Sequence, residues 1–460
     1  MESSKENILG TEKVPGLVVR FSVPSIIAML VSALYNIVDQ FFIGNKVGML
    51  GNAATNISFP IVTSCIAASL LFGIGGASCF NLAMGGGKKN KAPYYVGNSA
   101  LMLFLSGTLL AVVTLVFTEP LLRLFGASED VLPYALEYVR VGAPGFPFLI
   151  LTTGGCHLIR ADGKPAMSMI VNLVGAVINT VLDALFVMVF GWGMKGAALA
   201  TVTGEVVSAV LVVMLLYRFR TVKLMKKHFI PNLGVIWKVV SIGMASFFNQ
   251  LAMMLVQIVM NNTLKKYGEL SSFGPDIPVA CAGIVMKINQ IVFSVVIGLG
   301  QGTQPIESYN YGAGRYERVK KAFVIASGTA VIFSALSFVC FQLFPRQILG
   351  IFGDGTSEYF EFGTLFMKRF LFFVWLVALQ PVTSTLFTSI GKPVKGIFLS
   401  LTRQIIFFLP LLLILPRFYG IYGILYTGMA ADLLSGLTTV VMVGLEFASM
   451  KKLEAKAQAA

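Results

Sequence analysis

Charge is scarce in this chain. Of its 460 residues, 12% are Asp, Glu, Lys or Arg, against roughly 25% in a soluble globular protein. Most of its length therefore cannot be a hydrated surface, and the 56% hydrophobic content places it in the membrane class. Histidine is nearly absent, with only His157 and His228, and neither has a partner at metal-ligand spacing. The five cysteines, Cys65, Cys79, Cys156, Cys281 and Cys340, sit in or at the ends of apolar runs, are odd in number and lack zinc-type spacing, so they read as small packing residues. Short alternating segments, the mark of a membrane barrel, are missing, which leaves helices as the spanning elements. The polar residues 1–20 do not resemble a cleavable signal, so the first apolar run is expected to direct insertion.

What is present is a series of long apolar runs. A span needs about 20 mostly apolar residues. Such runs fall at 21–43, 55–84, 94–118, 132–158, 166–190, 196–217, 237–263, 278–305, 320–344, 359–388, 394–415 and 421–447, which predicts twelve helices. Loop charge tests the count. Alternate loops hold about 23 of the basic residues, among them Lys88, Lys89, Lys91, Arg160, Lys164, Arg315 and Lys392, and the opposite set holds about 7. That asymmetry predicts both termini in the cytoplasm and an even number of spans. The formal charge of +14 is thereby read as loop charge facing one side of a lipid bilayer, not as a nucleic-acid surface.

The two halves repeat with an offset of roughly 220 to 228 residues, as transporter halves often do. Gly48 pairs with Gly268, Gly73-Ile-Gly75 with Gly298-Leu-Gly300, Gly87 with Gly312, and Phe125-Gly126 with Phe352-Gly353. Gly163-Lys164-Pro165 pairs with Gly391-Lys392-Pro393, Gly193-x-x-Gly196 with Gly420-x-x-Gly423, and Glu205 with Asp432. Six spans per repeat is even, so the halves enter the membrane from the same side and are related by an axis along its normal. The expected fold is all-α and polytopic, with two parallel-repeat six-helix lobes at 1–227 and 228–460. The basic linker Arg218 to Asn232 is expected to lie on the membrane surface as a short amphipathic helix.

Few ionisable residues stand inside the runs, where each costs about 2.5–3.5 kcal/mol at mid-bilayer. Asp39 follows Tyr35 and Asn36 in the first run. Asn172, Asn179 and Asp183 share one face of the fifth, and Thr201, Glu205 and Ser208 one face of the sixth. A carboxylate in an apolar cleft favours taking up a proton, and neighbouring neutral oxygens help to coordinate a hard cation. Discharging such a group changes which packing is favoured; the bland alternative is a structural carboxylate hydrogen-bonded between helices. Glu205 and Asp432, paired by the repeat, suit a shared structural role as well as coupling. Asp39 and Asp183 pair with Val259 and Leu411, so coupling is expected in the first lobe alone. Candidate substrate contacts are Tyr35, Asn36, Asn172, Met253, Gln257, Lys287, Gln290 and Gln380, polar or adaptable side chains on helices that would face a central cavity. Lys287 and Arg403 are expected to pair with acids or to line that cavity.

The motifs Leu71-Phe72-Gly73-Ile74-Gly75-Gly76, Arg160-Ala161-x-Gly163-Lys164-Pro165, Asn179-x-x-x-Asp183 and Gly196-Ala197-Ala198-x-x-Thr201 resemble those of the multidrug and toxic compound extrusion (MATE) family over nearly the whole chain. The resemblance implies a V-shaped pair of lobes in a bacterial plasma membrane, exporting bulky lipophilic cations in exchange for H+ or Na+ by alternating access. It implies a cation site at Asp39, Asn179, Asp183 and Thr201, which would act as metal ligands only for Na+. It implies no prosthetic group, and a monomer whose partners are small organic molecules and lipid.

Two other carriers compete. A major-facilitator protein has a loop with an Asp-Arg signature between its second and third helices, where this chain has Gly85-Gly86-Gly87-Lys88-Lys89-Asn90-Lys91. A lipid-linked precursor flippase would favour a cationic cavity, which Lys287 and Arg403 would suit. A membrane enzyme would need a catalytic cluster, and no His-rich, Ser/Lys or paired-Asp motif occurs.

Overall fold

The structure is a computed structural model and describes residues 7–351 and 356–459; Phe352-Gly353, one member of the expected repeat, lies outside them. Apolar runs longer than a bilayer's thickness satisfy their backbone internally as helices. They form α1 (Val14–Lys46), α2 (Met49–Gly85), α3 (Ala92–Val116), α4 (Leu132–Gly142), α5 (Phe146–Ala161), α6 (Pro165–Asp183) and α7 (Gly193–Tyr217) in the first half. The second half holds α8 (Leu233–Glu269), α9 (Asp276–Gly312), α10 (Tyr316–Leu343), α11 (Ser357–Phe370), α12 (Val374–Ser389), α13 (Pro393–Tyr419) and α14 (Ile421–Ala459).

All twelve expected runs form helices, two of them broken. Among the described residues ten helices are long and apolar enough to cross a membrane, and the pair α11 and α12, bent by 48°, makes an eleventh. The fourth run is present but divided. Pro144 and Pro147 lack the N–H that a continuous helix would use there, and a 3-10 turn at Ala143–Gly145 separates α4 from α5.

The turns correct the register of the repeat. Gly163 and Gly391, at φ +83° and +72°, end α5 and α12 alike and hand the chain to a proline at the start of the next helix. Gly48, at φ +84°, leads into α2, but the residue with that role before α9 is Gly274 at φ +70°; Gly268 lies within the last turn of α8. Likewise α2 ends at Gly85 and α9 at Gly312, and the left-handed glycines two residues beyond them are Gly87 and Gly314. At their ends the pairing of α2 with α9 is therefore two residues later than glycine matching alone suggested, and at the turns before them six. Spacing between glycines is degenerate in such a glycine-rich stretch, whereas a left-handed turn is not.

One apolar core runs through the first half from Ile43 to Phe219 and takes in Val239 and Ile242 of α8, and a second runs from Val256 to Ala431. The halves meet through α1 against α9 and α2 against α8. This seam is built of glycines. A Cβ on Gly75 would strike the backbone of Val239, one on Gly243 the backbone of Leu71, and one on Gly302 the backbone of Ser22. Near the ends of α2 and α9, Gly85 abuts the Tyr309 carbonyl and Gly312 the Leu82 carbonyl, a reciprocal contact across the pseudo-axis. All of these contacts lie in the half of the helices nearer the chain termini. Farther along α8 only one stripe is buried (Ala252, Val256, Met260, Leu264), and Met253, Gln257 and Asn261 are exposed.

The linker is not an amphipathic helix. Apart from a 3-10 turn at Lys226–Phe229 it is irregular. Buried Asp162 accepts the Arg220 and Thr221 N–H groups and the Thr221 hydroxyl, and pairs with Lys164 at 2.8 Å. Asn98 of α3 donates to the His228 and Ile230 carbonyls and accepts from the Asn232 N–H. These bonds replace the ladder a helix would have provided.

Candidate functional site

The first-half bundle gathers the acids that the sequence placed on separate helices. α6 presents Asn179 and Asp183 one turn apart, and a π-helical turn at Ala184–Val189 begins directly after Asp183. Such turns interrupt the regular ladder and recur at functional sites. α1 packs along α6 and brings Asp39 opposite. The two carboxyl groups form a hydrogen-bonding pair. Asp183 has no exposed surface, Asp39 is half-buried, and the Oδ1 atom of each is sealed without a partner. No Lys, Arg or His forms an ion pair with either among the described residues.

Asn179 links this pair to α7. Its amide lies 3.1 Å from Thr201 Oγ1 and, with the nitrogen facing the acid, donates to Asp183 Oδ2 at 3.1 Å. Thr201 Oγ1 in turn donates to the Ala197 carbonyl at 3.1 Å. Gly204 permits this approach, since a Cβ there would press on Asn179. Asp39, Asn179, Asp183 and Thr201 are thus brought together. Two like charges at such range in a dry interior repel strongly, and a proton or cation between them removes that repulsion. The ligands on offer are carboxylate, amide and hydroxyl oxygens, the set preferred by a hard cation. Among the described residues no cluster of three or more His, Cys, Asp and Glu has metal-binding geometry.

The substrate candidates scatter. Tyr35 is half-buried and, with Tyr138 of α4, lies within electrostatic reach of Asp39, Asp183 and Glu205. Asn36 is exposed and donates back to the Ser32 carbonyl at 2.7 Å. Asn172 is tied to the Ser168 carbonyl (2.8 Å) and Cys156 Sγ (3.3 Å), one end of α6 away from the acids. Met253, Gln257 and Gln290 are exposed, and Lys287 donates to Gln40 Oε1 of α1 at 3.1 Å, a bridge between the halves. Gln380 is buried and holds the Leu399 carbonyl at 3.0 Å, a link between α12 and α13.

Arg403 takes the first of its two expected roles, pairing with an acid, while other charged groups play parts that the sequence did not disclose. Arg160, counted above as loop charge, is 3% exposed and crosses the seam to Gln301 Oε1 (2.8 Å) and Ser25 Oγ (3.4 Å), with His157 Nδ1 at 3.0 Å. Arg403 of α13 donates to Asp432 Oδ1 at 2.8 Å, and buried Glu446 of α14 is held by Lys392 and by Lys395 at 2.7 Å. Glu307 of α9 is fully buried beside the Thr303 and Ser389 hydroxyls, with no cation partner among the described residues. The motif Gln304-Pro305-Ile306-Glu307 at the end of a long apolar run was the available signal, and it was masked by its nearness to a loop.

Comparison with known proteins follows the same lines. The profile of the family described as MatE matches residues 24–185 and 245–414. The chain is 24% identical over 428 residues to the "Multidrug export protein MepA" of Staphylococcus saprophyticus, covering 92% of each chain. It is 25% identical over 426 residues to the protein of that name from Staphylococcus aureus (strain MSSA476), again covering 92% of each. Among solved structures it resembles one described as an outward-facing conformation of a multidrug resistance MATE family transporter, with a TM-score of 0.90 at 22% identity over 98% of this chain and 100% of that one. A MATE structure in a bent conformation gives 0.89 at 22% identity, over 99% and 100%.

Proposed function

The chain belongs to the MatE family, and on that premise we propose that it is a cation-coupled antiporter that exports lipophilic organic cations, with H+ or Na+ as the driving ion. It is a multi-pass membrane transporter and not an enzyme. The two moving units are residues 1–227 and 228–460, and both termini face the cytoplasm of a bacterial cell, the side to which the loop charge points.

The observation that carries the coupling assignment is the pair Asp39 and Asp183, held in contact, sealed at one oxygen each and given no counter-charge. Such a site is costly when empty and is relieved by one incoming cation. Asn179 and Thr201 tie the pair to α7, so occupancy bears on how α1 packs against α6 and α7. α1 is also one of the helices that seals the seam against α9. Occupancy of the site and closure of the seam therefore share one element, the physical requirement for linking an ion gradient to alternating access. In the orientation proposed, the glycine seam closes the cytoplasmic side, while exposed Met253 and Gln257 face a cleft open outward.

The test is purified protein in liposomes, loaded with tetraphenylphosphonium and driven by a proton or a sodium gradient in turn. One gradient is expected to drive efflux and Asp183→Asn to abolish it, with the variant still reaching the membrane and eluting as a single species. Wild-type efflux by Asp183→Asn removes that residue from coupling.

A further inference from the structure

We propose that Glu205 is the counter-charge for the organic cation, a substrate-binding residue distinct from the coupling pair. Glu205 lies on α7 one turn from Thr201, but it looks elsewhere. Thr201 and Gly204 face α6, whereas Glu205 faces the 3-10 turn that divides the fourth run. A Cβ on Gly145 of that turn would stand 3.2 Å from Glu205 Oε2, and Val202 fills the adjoining wall. Tyr35 of α1, Tyr138 of α4 and Cys65 of α2 lie within electrostatic reach. The acid therefore points into the interior ringed by α1, α2, α4 and α7.

Three features mark it as a ligand group. Among the described residues its carboxylate has no hydrogen bond and no ion pair, yet its oxygens, unlike Oδ1 of Asp39 and of Asp183, are not sealed off. The same holds for the Tyr35 and Tyr138 hydroxyls. A polar group that is neither satisfied nor sealed in a lobe's interior faces space.

The repeat supplies the second feature. Its counterpart Asp432 is neutralised by Arg403, and the residue matched to Arg403 in the first half is Gly175. The sequence thus provides a cation for one acid of the pair and none for the other, so the two are not answered alike.

The third feature is the lining, which selects the ligand's chemistry. A small cation such as Na+ needs several oxygen ligands at close range. Glu205 is bordered instead by Gly145 and Val202, with Tyr35 and Tyr138 within electrostatic reach. One carboxylate beside an apolar wall, with tyrosines in the same interior, suits a bulky cation with diffuse charge, an aryl phosphonium or a quaternary ammonium. The assignment rests on the reading of the chain as an exporter, and it names which side chain recognises the charge.

The experiment compares tetraphenylphosphonium with uncharged triphenylphosphine oxide, by equilibrium binding to detergent-purified wild type, Glu205→Gln and Glu205→Asp. Glu205→Gln is expected to weaken tetraphenylphosphonium binding about tenfold or more, equivalent to about 1.4 kcal/mol. Binding of the oxide should stay within about twofold, and Glu205→Asp should recover part of the loss. Unchanged phosphonium binding, equal weakening of both probes, or no phosphonium binding by the wild type overturns the assignment. Efflux assays on the same preparations separate this from the exporter reading. If wild type binds the phosphonium with Glu205 dependence yet moves it under neither gradient, the antiport reading fails and the binding assignment stands.

Discussion

The two bundles of this molecule differ in how they meet most of the acids inside their long helices. In the second, Asp432 is met by Arg403, and Glu446 by Lys392 and Lys395. In the first, the pair Asp39 and Asp183 and, apart from it, Glu205 have no cation partner among the described residues. A buried acid with a fixed partner is structural, because breaking the pair strands a charge. A buried acid without one is a candidate to take up a mobile cation. Repetition of the backbone therefore does not carry repetition of charge pairing: the second bundle pairs Asp432 and Glu446 internally, whereas Asp39, Asp183 and Glu205 have no internal cation among the described residues.

The sharpest way to break that comparison is to strand a charge in the second bundle. Arg403→Ala leaves Asp432 buried and unpaired, with an expected cost of about 3–5 kcal/mol and a clear fall in the midpoint of thermal unfolding. Adding Asp432→Asn should restore most of it. If Arg403→Ala is as stable as the wild type, the pair is not structural, and the contrast between the bundles fails.

The next largest effect is expected at the seam that both bundles share. Gly243→Val drives a branched side chain into the Leu71 backbone, at an expected cost of about 1–3 kcal/mol to this closure. Since it acts on one side of the cycle only, cysteine labelling from the terminus-bearing face should rise, at positions such as Ser22 that the seam now buries. Unchanged labelling would mean that the glycines are not what closes this face.

Glu307 provides the finest test, being the one second-bundle acid whose counter-charge is missing among the described residues. It differs from the first-bundle acids in having hydroxyl neighbours, Thr303 and Ser389, in place of a second carboxyl. Glu307→Gln keeps the shape and removes the charge, so unfolding stability is expected within about 1 kcal/mol of wild type and gradient-driven efflux should persist. Loss of efflux equal to that of Asp183→Asn would place coupling in both bundles.

Much of the fold was legible beforehand, for reasons that particular residues illustrate. The length and apolarity of runs such as 55–84 force helices, and the glycine–lysine–proline pairs at Gly163 and Gly391 fix a repeat because a left-handed turn admits few alternatives. The twelve expected runs are all helical, the fourth being divided at Pro144 and Pro147. The linker was misread because charge periodicity cannot reveal that Asp162 and Asn98 would bind its backbone. Of the site, Asn179, Asp183 and Thr201 were visible as polar positions on helix faces, while Arg160 was mistaken for loop charge because its depth in the seam is set by α9.

The sequence by itself determined that this chain lives in a bilayer, that its halves are copies, and that few ionisable groups are buried, since hydropathy and repetition are local properties of a string. Only the tertiary structure decided which of those groups meet. Whether an acid is answered by a cation depends on the rotation and depth of neighbouring helices. Arg403 reaches Asp432, Gly175 offers Glu205 nothing, and Asp39 finds Asp183 from a helix far away in the chain.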